Sequence, residues 1–254
     1  TMSKSIIGKI CNILAYIAFY VLVYLLVLVT GTILSDMFPF IKGWTGACAM
    51  LAGAGCLFLF LSDRNELLKK PEKTFPVFVC VMFLAAGICV GLNWLMGMIP
   101  WEKIQGTYVV QNDEALFSIP FYLRLIAYVV VAPLAEELLF RGIIFRKAKE
   151  FMPLWAAMVV SAVAFGLYHG NLQQGLYAFL CGCALAWVYA VTDSFAVSVL
   201  FHATANLIVN LAYEFEMVQK IVYSVPSLCV LVVLAVISAI LLSRYGKNRK
   251  NREK

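Results

Sequence analysis

The chain has 254 residues, of which 63% are apolar and only 13% are charged, whereas soluble domains average about 45–50% apolar residues. This composition excludes a water-soluble fold. The formal net charge is +6, and the basic residues lie mainly in the predicted loops, where they indicate the orientation of the chain in the membrane. Because no basic face occurs outside these loops, we predict no nucleic-acid partner.

Apolar runs of about 20 residues recur along the chain, and each is long enough to cross a hydrocarbon layer about 30 Å thick at 1.5 Å per residue. They lack the period-two alternation of barrel strands. We therefore predict an all-α, polytopic membrane protein, a bundle of about eight transmembrane helices that forms a single integral membrane domain over 1–254. The predicted spans are 8–34, 43–62, 75–99, 119–145, 153–169, 172–191, 194–212 and 221–243.

The fourth span contains two adjacent carboxylates, Glu136 and Glu137. Adjacent helical residues point about 100° apart, so the two carboxylates are predicted to have different roles. Arg141 follows Glu137 by four residues, which predicts an ion pair. Glu136 has no local partner, and an ionisable group in a span is a functional candidate, here a general base. Pro133, one turn earlier, predicts a kink beside Glu136.

The only two histidines in the chain, His169 and His202, lie in the fifth and seventh spans. Asn206 follows His202 by four residues, so both side chains lie on one face of the helix. A single buried histidine is most often a structural residue. Two histidines, an amide and the unpaired Glu136, each within an apolar span, predict instead that these spans pack around one polar cavity.

The basic residues predict the orientation of the bundle. If the N-terminus is cytoplasmic, fifteen lysines and arginines fall on the cytoplasmic side and three on the other. Both termini are therefore predicted to be cytoplasmic, with a basic tail over about 244–254 at the membrane surface. In this topology His169 lies about 24 Å from the cytoplasmic face and His202 about 12 Å. One helix must be tilted or re-entrant, or one span boundary is wrong, if both histidines reach one cavity.

Three motifs carry a family resemblance. They are Glu-Glu-x-x-x-Arg (Glu136, Glu137, Arg141), Phe-x-x-x-His (Phe165, His169) and His-x-x-x-Asn (His202, Asn206). In this order they resemble the CPBP family of intramembrane proteases, also called the Abi or type II CAAX prenyl endopeptidase family. The motifs are complete and define a core of about 119–212. The resemblance implies an eight-helix bundle and intramembrane peptidase activity.

The resemblance also implies a mechanism without a metal or other cofactor. Glu136 with His169 activates a water, while His202 and Asn206 donate hydrogen bonds to the oxyanion. The supporting residues, Glu137 and Arg141, hold the helix and orient Glu136. The alternative is a Zn²⁺ site in which Glu136, His169 and His202 are ligands and water is the fourth, although the sequence contains no His-Glu-x-x-His motif.

The predicted partners are the lipid bilayer and a membrane-associated peptide or protein substrate, with the oligomeric state left open. In the family, the eukaryotic branch removes a tripeptide after a prenylated cysteine, whereas bacterial members are associated with bacteriocin maturation or immunity and with peptide processing. Short loops favour a bacterial plasma membrane and a substrate that is not prenylated. The alternatives are a non-catalytic scaffold or immunity protein of the same fold, and a transporter or proton relay, which would show repeated halves and interrupted helices.

Overall fold

The computed structural model describes residues 2–61, 64–69, 71, 74–105 and 119–252, without the side chains of 2–5, 64, 66, 102 and 105. Within these ranges the chain is helical and contains no strand, which confirms the all-α prediction. The eight longer helices are α1 (Met2–Met37), α2 (Thr45–Phe60), α3 (Thr74–Gly97), α4 (121–148, in five consecutive segments), α5 (Leu154–Tyr168), α6 (Leu172–Thr192), α7 (Phe195–Glu214) and α8 (Val225–Arg252).

Six of these helices are long and apolar enough to cross a membrane: α1, α2 together with the preceding turn of 3₁₀-helix Pro39–Trp44, α3, α6, α7 and α8. α5 is apolar but has only 15 residues, about 22 Å of helix. On α1 the apolar side chains of Leu22, Leu26 and Ile33 are exposed, as expected for a surface that faces lipid, whereas Tyr20 is buried. The polytopic membrane fold is thus confirmed.

α4 is a continuous helix in which α-helical and π-helical turns alternate. It is made up of Phe121–Arg124, Leu125–Val131, Ala132–Glu137, Leu138–Phe145 and Arg146–Ala148, of which the second and fourth are π-helical. π-helical turns are rare and occur frequently at functional sites. Both carboxylates of the fourth span lie in the short α-helical part between the two π-helical segments.

α3 lies at the centre of the packing, against α8 on one side and α7 on another. Its buried residues include Val81, Ala85 and Cys89. At Gly87 a Cβ atom would lie 2.5 Å from the carbonyl oxygen of Leu231, so only glycine permits this close approach of α3 and α8. Small residues at such crossings are typical of membrane helix pairs.

The eighth predicted span, 221–243, begins too early. The chain first forms a separate short helix, Glu216–Val222, and α8 begins at Val225. Ser224 Oγ accepts a hydrogen bond from the backbone N–H of Ser227 at 3.4 Å, and Pro226 occupies the first turn, where a missing N–H has no cost. At the other end α8 continues as helix through the basic tail to Arg252; residues 253 and 254 of the predicted tail lie outside the described residues.

Candidate active site

The predicted catalytic residues line one cavity of about 400 Å³, formed between α2, α3, α4, α5, α6 and α7. Glu136 comes from α4, His169 from the end of α5, and His202 and Asn206 from α7. Glu136 and His202 are each only 7% exposed. The structure therefore brings together the four polar side chains that interrupt the apolar spans.

His169 lies at the C-terminal end of α5, where the chain turns into α6. Gly170 has φ +72°, a conformation that favours glycine, and Asn171 caps α6 by accepting a hydrogen bond from Gln174 N at 2.8 Å. His169 Nδ1 is 2.8 Å from the Phe165 carbonyl oxygen. Because a carbonyl only accepts, Nδ1 must carry the hydrogen, and Nε2 of the neutral ring is then an acceptor.

His202 lies between the two carboxylates of α4. Its Nδ1 is 3.0 Å from Oε1 of Glu137, and its Nε2 is 3.7 Å from Oε2 of Glu136. The carboxylate of Glu137 can only accept when ionised, so Nδ1 donates and Nε2 is the nitrogen nearer Glu136. When Nε2 also acts as a donor, the ring must carry a proton on both nitrogens.

Glu137 is fully buried and is bound by three side chains. Arg141 donates to Oε1 at 2.8 Å, which is the ion pair expected from the four-residue spacing, and Ser198 Oγ donates to Oε2. Arg141 also donates to the Gly182 carbonyl at 3.0 Å. A buried carboxylate is tolerated only when it is paired and hydrogen-bonded, and this network connects α4, α6 and α7.

Phe165 lies between the two histidines. Its ring centroid is 4.9 Å from that of His169 and 5.6 Å from that of His202, each in an edge-to-face arrangement. The Arg141 guanidinium lies 4.6 Å from the centre of the same ring. Both histidines therefore reach one cavity despite their predicted difference in depth. They do so because Phe165, one turn before His169, lies beside His202.

Asn206 contacts α4 at the point where the helical hydrogen bonding is interrupted. The N–H of Ala132 donates to Ala127 O, five residues earlier, as in a π-helix. In that register the Tyr128 carbonyl would pair with residue 133, but Pro133 has no N–H. Asn206 Nδ2 donates to this carbonyl at 2.7 Å instead. One hydrogen of the carboxamide is thus engaged, and the second remains for another acceptor.

The described residues offer no support for the alternative Zn²⁺ site. Among the residues that the structure describes, no group of three or more His, Cys, Asp or Glu side chains converges closely enough to hold a metal ion. We therefore derive no catalytic step through a metal.

Several residues near the site carried no signal in the sequence. Ser198 is a serine in an apolar helix, a common residue in membrane spans, and only its contact with Glu137 indicates a role. Tyr128, Gln173 and Asn210 also line the cavity. A spacing of four residues between Asn206 and Asn210 on one helical face could have indicated the last of these.

Comparisons with known proteins agree with the motifs. The family described as "Type II CAAX prenyl endopeptidase Rce1-like" matches residues 118–208. A protein of Bacillus subtilis (strain 168) named "Putative membrane peptidase YdiL" is 33% identical over 172 residues, 65% of this chain and 70% of the relative. "UPF0177 protein YxdF" of Lactococcus lactis subsp. lactis (strain IL1403) is 30% identical over 131 residues, 45% of this chain and 72% of the relative. No solved structure gives a significant match.

Proposed function

Since the chain belongs to the Rce1-like, or CPBP, family of type II CAAX prenyl endopeptidases, we propose that it is an intramembrane endopeptidase that hydrolyses a peptide bond in a membrane-associated peptide or protein. The observation that carries the proposal is the shared cavity. Glu136, His169, His202 and Asn206 all line it, within helices that otherwise present apolar side chains to lipid.

Water activation is assigned to Glu136 and His169. The hydrogen bond from His169 Nδ1 to Phe165 O leaves Nε2 as an acceptor, and the Glu136 carboxylate supplies a second acceptor on the same cavity wall. Together they orient a water and take its proton as its oxygen attacks the substrate carbonyl carbon. The same pair returns that proton to the amine nitrogen when the C–N bond breaks.

His202 and Asn206 are assigned to the oxyanion that forms in this attack. Donors held in place before the reaction stabilise developing charge without reorganisation. The donors available are Nε2 of His202, when its ring carries a proton on both nitrogens, and the second Nδ2 hydrogen of Asn206. The contacts of Glu137 support a role in holding the His202 ring, in place of the role of orienting Glu136 expected from the sequence.

The substrate proposed is an unprenylated peptide or membrane protein, hydrolysed without a metal. The test is cleavage of a peptide library by purified wild-type protein and by the Glu136→Ala, His169→Ala and His202→Ala variants in detergent. We expect cleavage by the wild type with and without a chelator, and losses of at least about 10²-fold in each variant.

Three outcomes would contradict the proposal in different ways. Wild-type turnover in Glu136→Ala or His169→Ala would refute the assignment of the water-activating pair. Loss of activity with chelator, restored by Zn²⁺, would favour the metal site. A wild type that cleaves nothing, and a binding partner that is captured equally by Glu136→Ala, would favour the non-catalytic scaffold.

A further inference from the structure

One face of α7 presents polar groups to the cavity at regular intervals. His202, Asn206 and Asn210 recur every four residues, and all three line the cavity. Four residues of α-helix advance by about 6 Å. Alternate residues of an extended peptide are separated by nearly the same distance, about 6.6–6.8 Å. The α7 face therefore repeats at the spacing of an extended chain lying alongside it.

Asn210 contributes an acceptor that has no partner within the described part of the chain. Its Nδ2 donates to the Asn206 backbone carbonyl at 2.9 Å, while its Oδ1 is buried and unbonded. Asn210 is 4% exposed. A buried carbonyl oxygen left without a donor destabilises the free protein, so a hydrogen bond from a ligand N–H to Oδ1 stabilises the complex more than an exposed hydrogen bond would.

Gln173 supplies a second such acceptor from α6. It lines the same cavity, and its Oε1 is likewise buried without a partner among the described residues. Two unpaired carboxamide oxygens thus belong to the wall of one cavity. Each oxygen can accept a hydrogen bond from a ligand, and neither can bind an anion.

The remaining lining is unfavourable for an anionic ligand. Among the described residues the cavity is lined by one carboxylate, Glu136, and by no lysine or arginine. Met50, Met96 and Val209 add apolar surface. An extended peptide matches this wall, because its backbone N–H groups are donors and successive side chains point to opposite sides of the chain.

We propose that Asn210 and Gln173 form a subsite that accepts hydrogen bonds from backbone N–H groups of an extended stretch of the substrate. The inference rests on the proposed function and deepens it. Asn210 is two turns from His202, about 12 Å along α7, and an extended chain advances about 3.3 Å per residue. The subsite therefore contacts the substrate about four residues from the bond that is cleaved.

The test combines substrate and protein changes. In a peptide that is cleaved, each backbone amide on both sides of the scissile bond, from the second to the fifth residue, is replaced in turn by an ester, which removes one N–H. We expect the ester at the N–H that binds Asn210 to raise KM of the wild type about tenfold, the equivalent of one hydrogen bond of about 1.4 kcal/mol, with kcat unchanged. A second ester, at the N–H that binds Gln173, should have the same effect. Asn210→Leu should raise KM of the all-amide peptide to the same extent. In this variant the ester at the N–H that binds Asn210 should raise KM no further.

Gln173→Leu provides a second variant that does not depend on α7, and Gln219→Leu, on the exposed short helix Glu216–Val222, is the matched control. Thermal unfolding in detergent establishes that each variant is folded. The proposal is overturned if folded Asn210→Leu and Gln173→Leu both keep the wild-type KM for long peptides. It is equally overturned if they raise KM as much for peptides too short to reach the subsite.

Binding to Glu136→Gln separates this inference from the proposed function. The same peptides, carrying a fluorescent label, are titrated into Glu136→Gln with and without Asn210→Leu. If long peptides bind more tightly than short ones, and Asn210→Leu removes this difference, the subsite is supported even if the wild type cleaves nothing. Cleavage by the wild type, together with binding that is independent of Asn210 and Gln173, would refute the subsite and leave the peptidase.

Discussion

His202 has the most closely defined surroundings of the four candidate catalytic residues. Its Nδ1 is held by Glu137, which is held in turn by Arg141 and Ser198. An imidazole fixed through one nitrogen presents the other in a single orientation, as in sites where a carboxylate orients a catalytic histidine. The position of Nε2 therefore depends on residues that do not themselves reach the cavity.

Ser198 tests this dependence. Ser198→Ala removes one donor to Glu137, and a hydrogen bond to a charged group contributes about 1.5–3 kcal/mol. We expect kcat to fall about tenfold or more with KM nearly unchanged, because the ring of His202 is displaced while the substrate wall is intact. Ser238→Ala, at a buried serine of α8, is the control. An unchanged kcat in folded Ser198→Ala would show that Glu137 does not need this donor.

Asn206 is expected to combine two roles. One Nδ2 hydrogen binds the Tyr128 carbonyl, and the other is proposed to bind the oxyanion. Asn206→Ala should lower kcat by about 10²-fold, the effect of removing one oxyanion donor, and should also lower the unfolding temperature, because the Tyr128 carbonyl loses its partner. Kinetics and thermal unfolding, with Asn12→Ala on the exposed side of α1 as the control, measure both effects. A fall in stability alone would reduce Asn206 to a structural residue.

At the scale of elements, the irregular hydrogen bonding of α4 is the feature that positions Glu136. Two π-helical segments flank Ala132–Glu137, and a side chain of another helix binds a carbonyl in each. Asn206 binds Tyr128 O in the first, and Ser161 Oγ donates to Phe140 O at 2.9 Å in the second. These contacts connect the register of α4 to α7 and α5.

Pro133→Ala tests whether this register matters for activity. Alanine restores an N–H that can pair within the helix, so α4 can adopt a regular α-helical register and rotate Glu136 relative to His202. We expect kcat to fall at least about tenfold, while the unfolding temperature stays the same or rises. Pro226→Ala, at the start of α8, is the control. Full activity in Pro133→Ala would show that the π-helical register is dispensable.

The convergence of Glu136, His169 and His202 could be predicted from sequence because an ionisable side chain in an apolar span needs a polar neighbour. The details that depend on register could not. No characteristic amino-acid composition distinguishes the π-helical segments from ordinary α-helix. The hydrogen bond between Asn206 and the Tyr128 carbonyl can be understood only once the N–H of Ala132 is known to donate to the carbonyl of Ala127, five residues earlier. The start of α8 was also missed, since hydrophobicity continues through the short helix before it.

At the scale of the whole molecule, the distribution of basic residues predicts that both termini are cytoplasmic. Cysteine labelling checks it. A membrane-impermeant maleimide should label Lys220→Cys in intact cells and Lys250→Cys only after permeabilisation, relative to the unsubstituted chain, whose own exposed cysteines include Cys11 and Cys229. Labelling of Lys250→Cys in intact cells would show that the C-terminal end of α8 lies outside the cell and would contradict the predicted orientation.

The central claim is that Glu136, inside the bundle, activates the water that hydrolyses a peptide bond. The most direct measurement is the single-turnover rate of cleavage of one identified peptide by wild type and by Glu136→Gln, which keeps the size of the side chain and removes its basicity. We predict a fall of at least about 10³-fold with an unchanged unfolding temperature and unchanged peptide binding. A Glu136→Gln protein that cleaves within about tenfold of the wild-type rate would contradict the account.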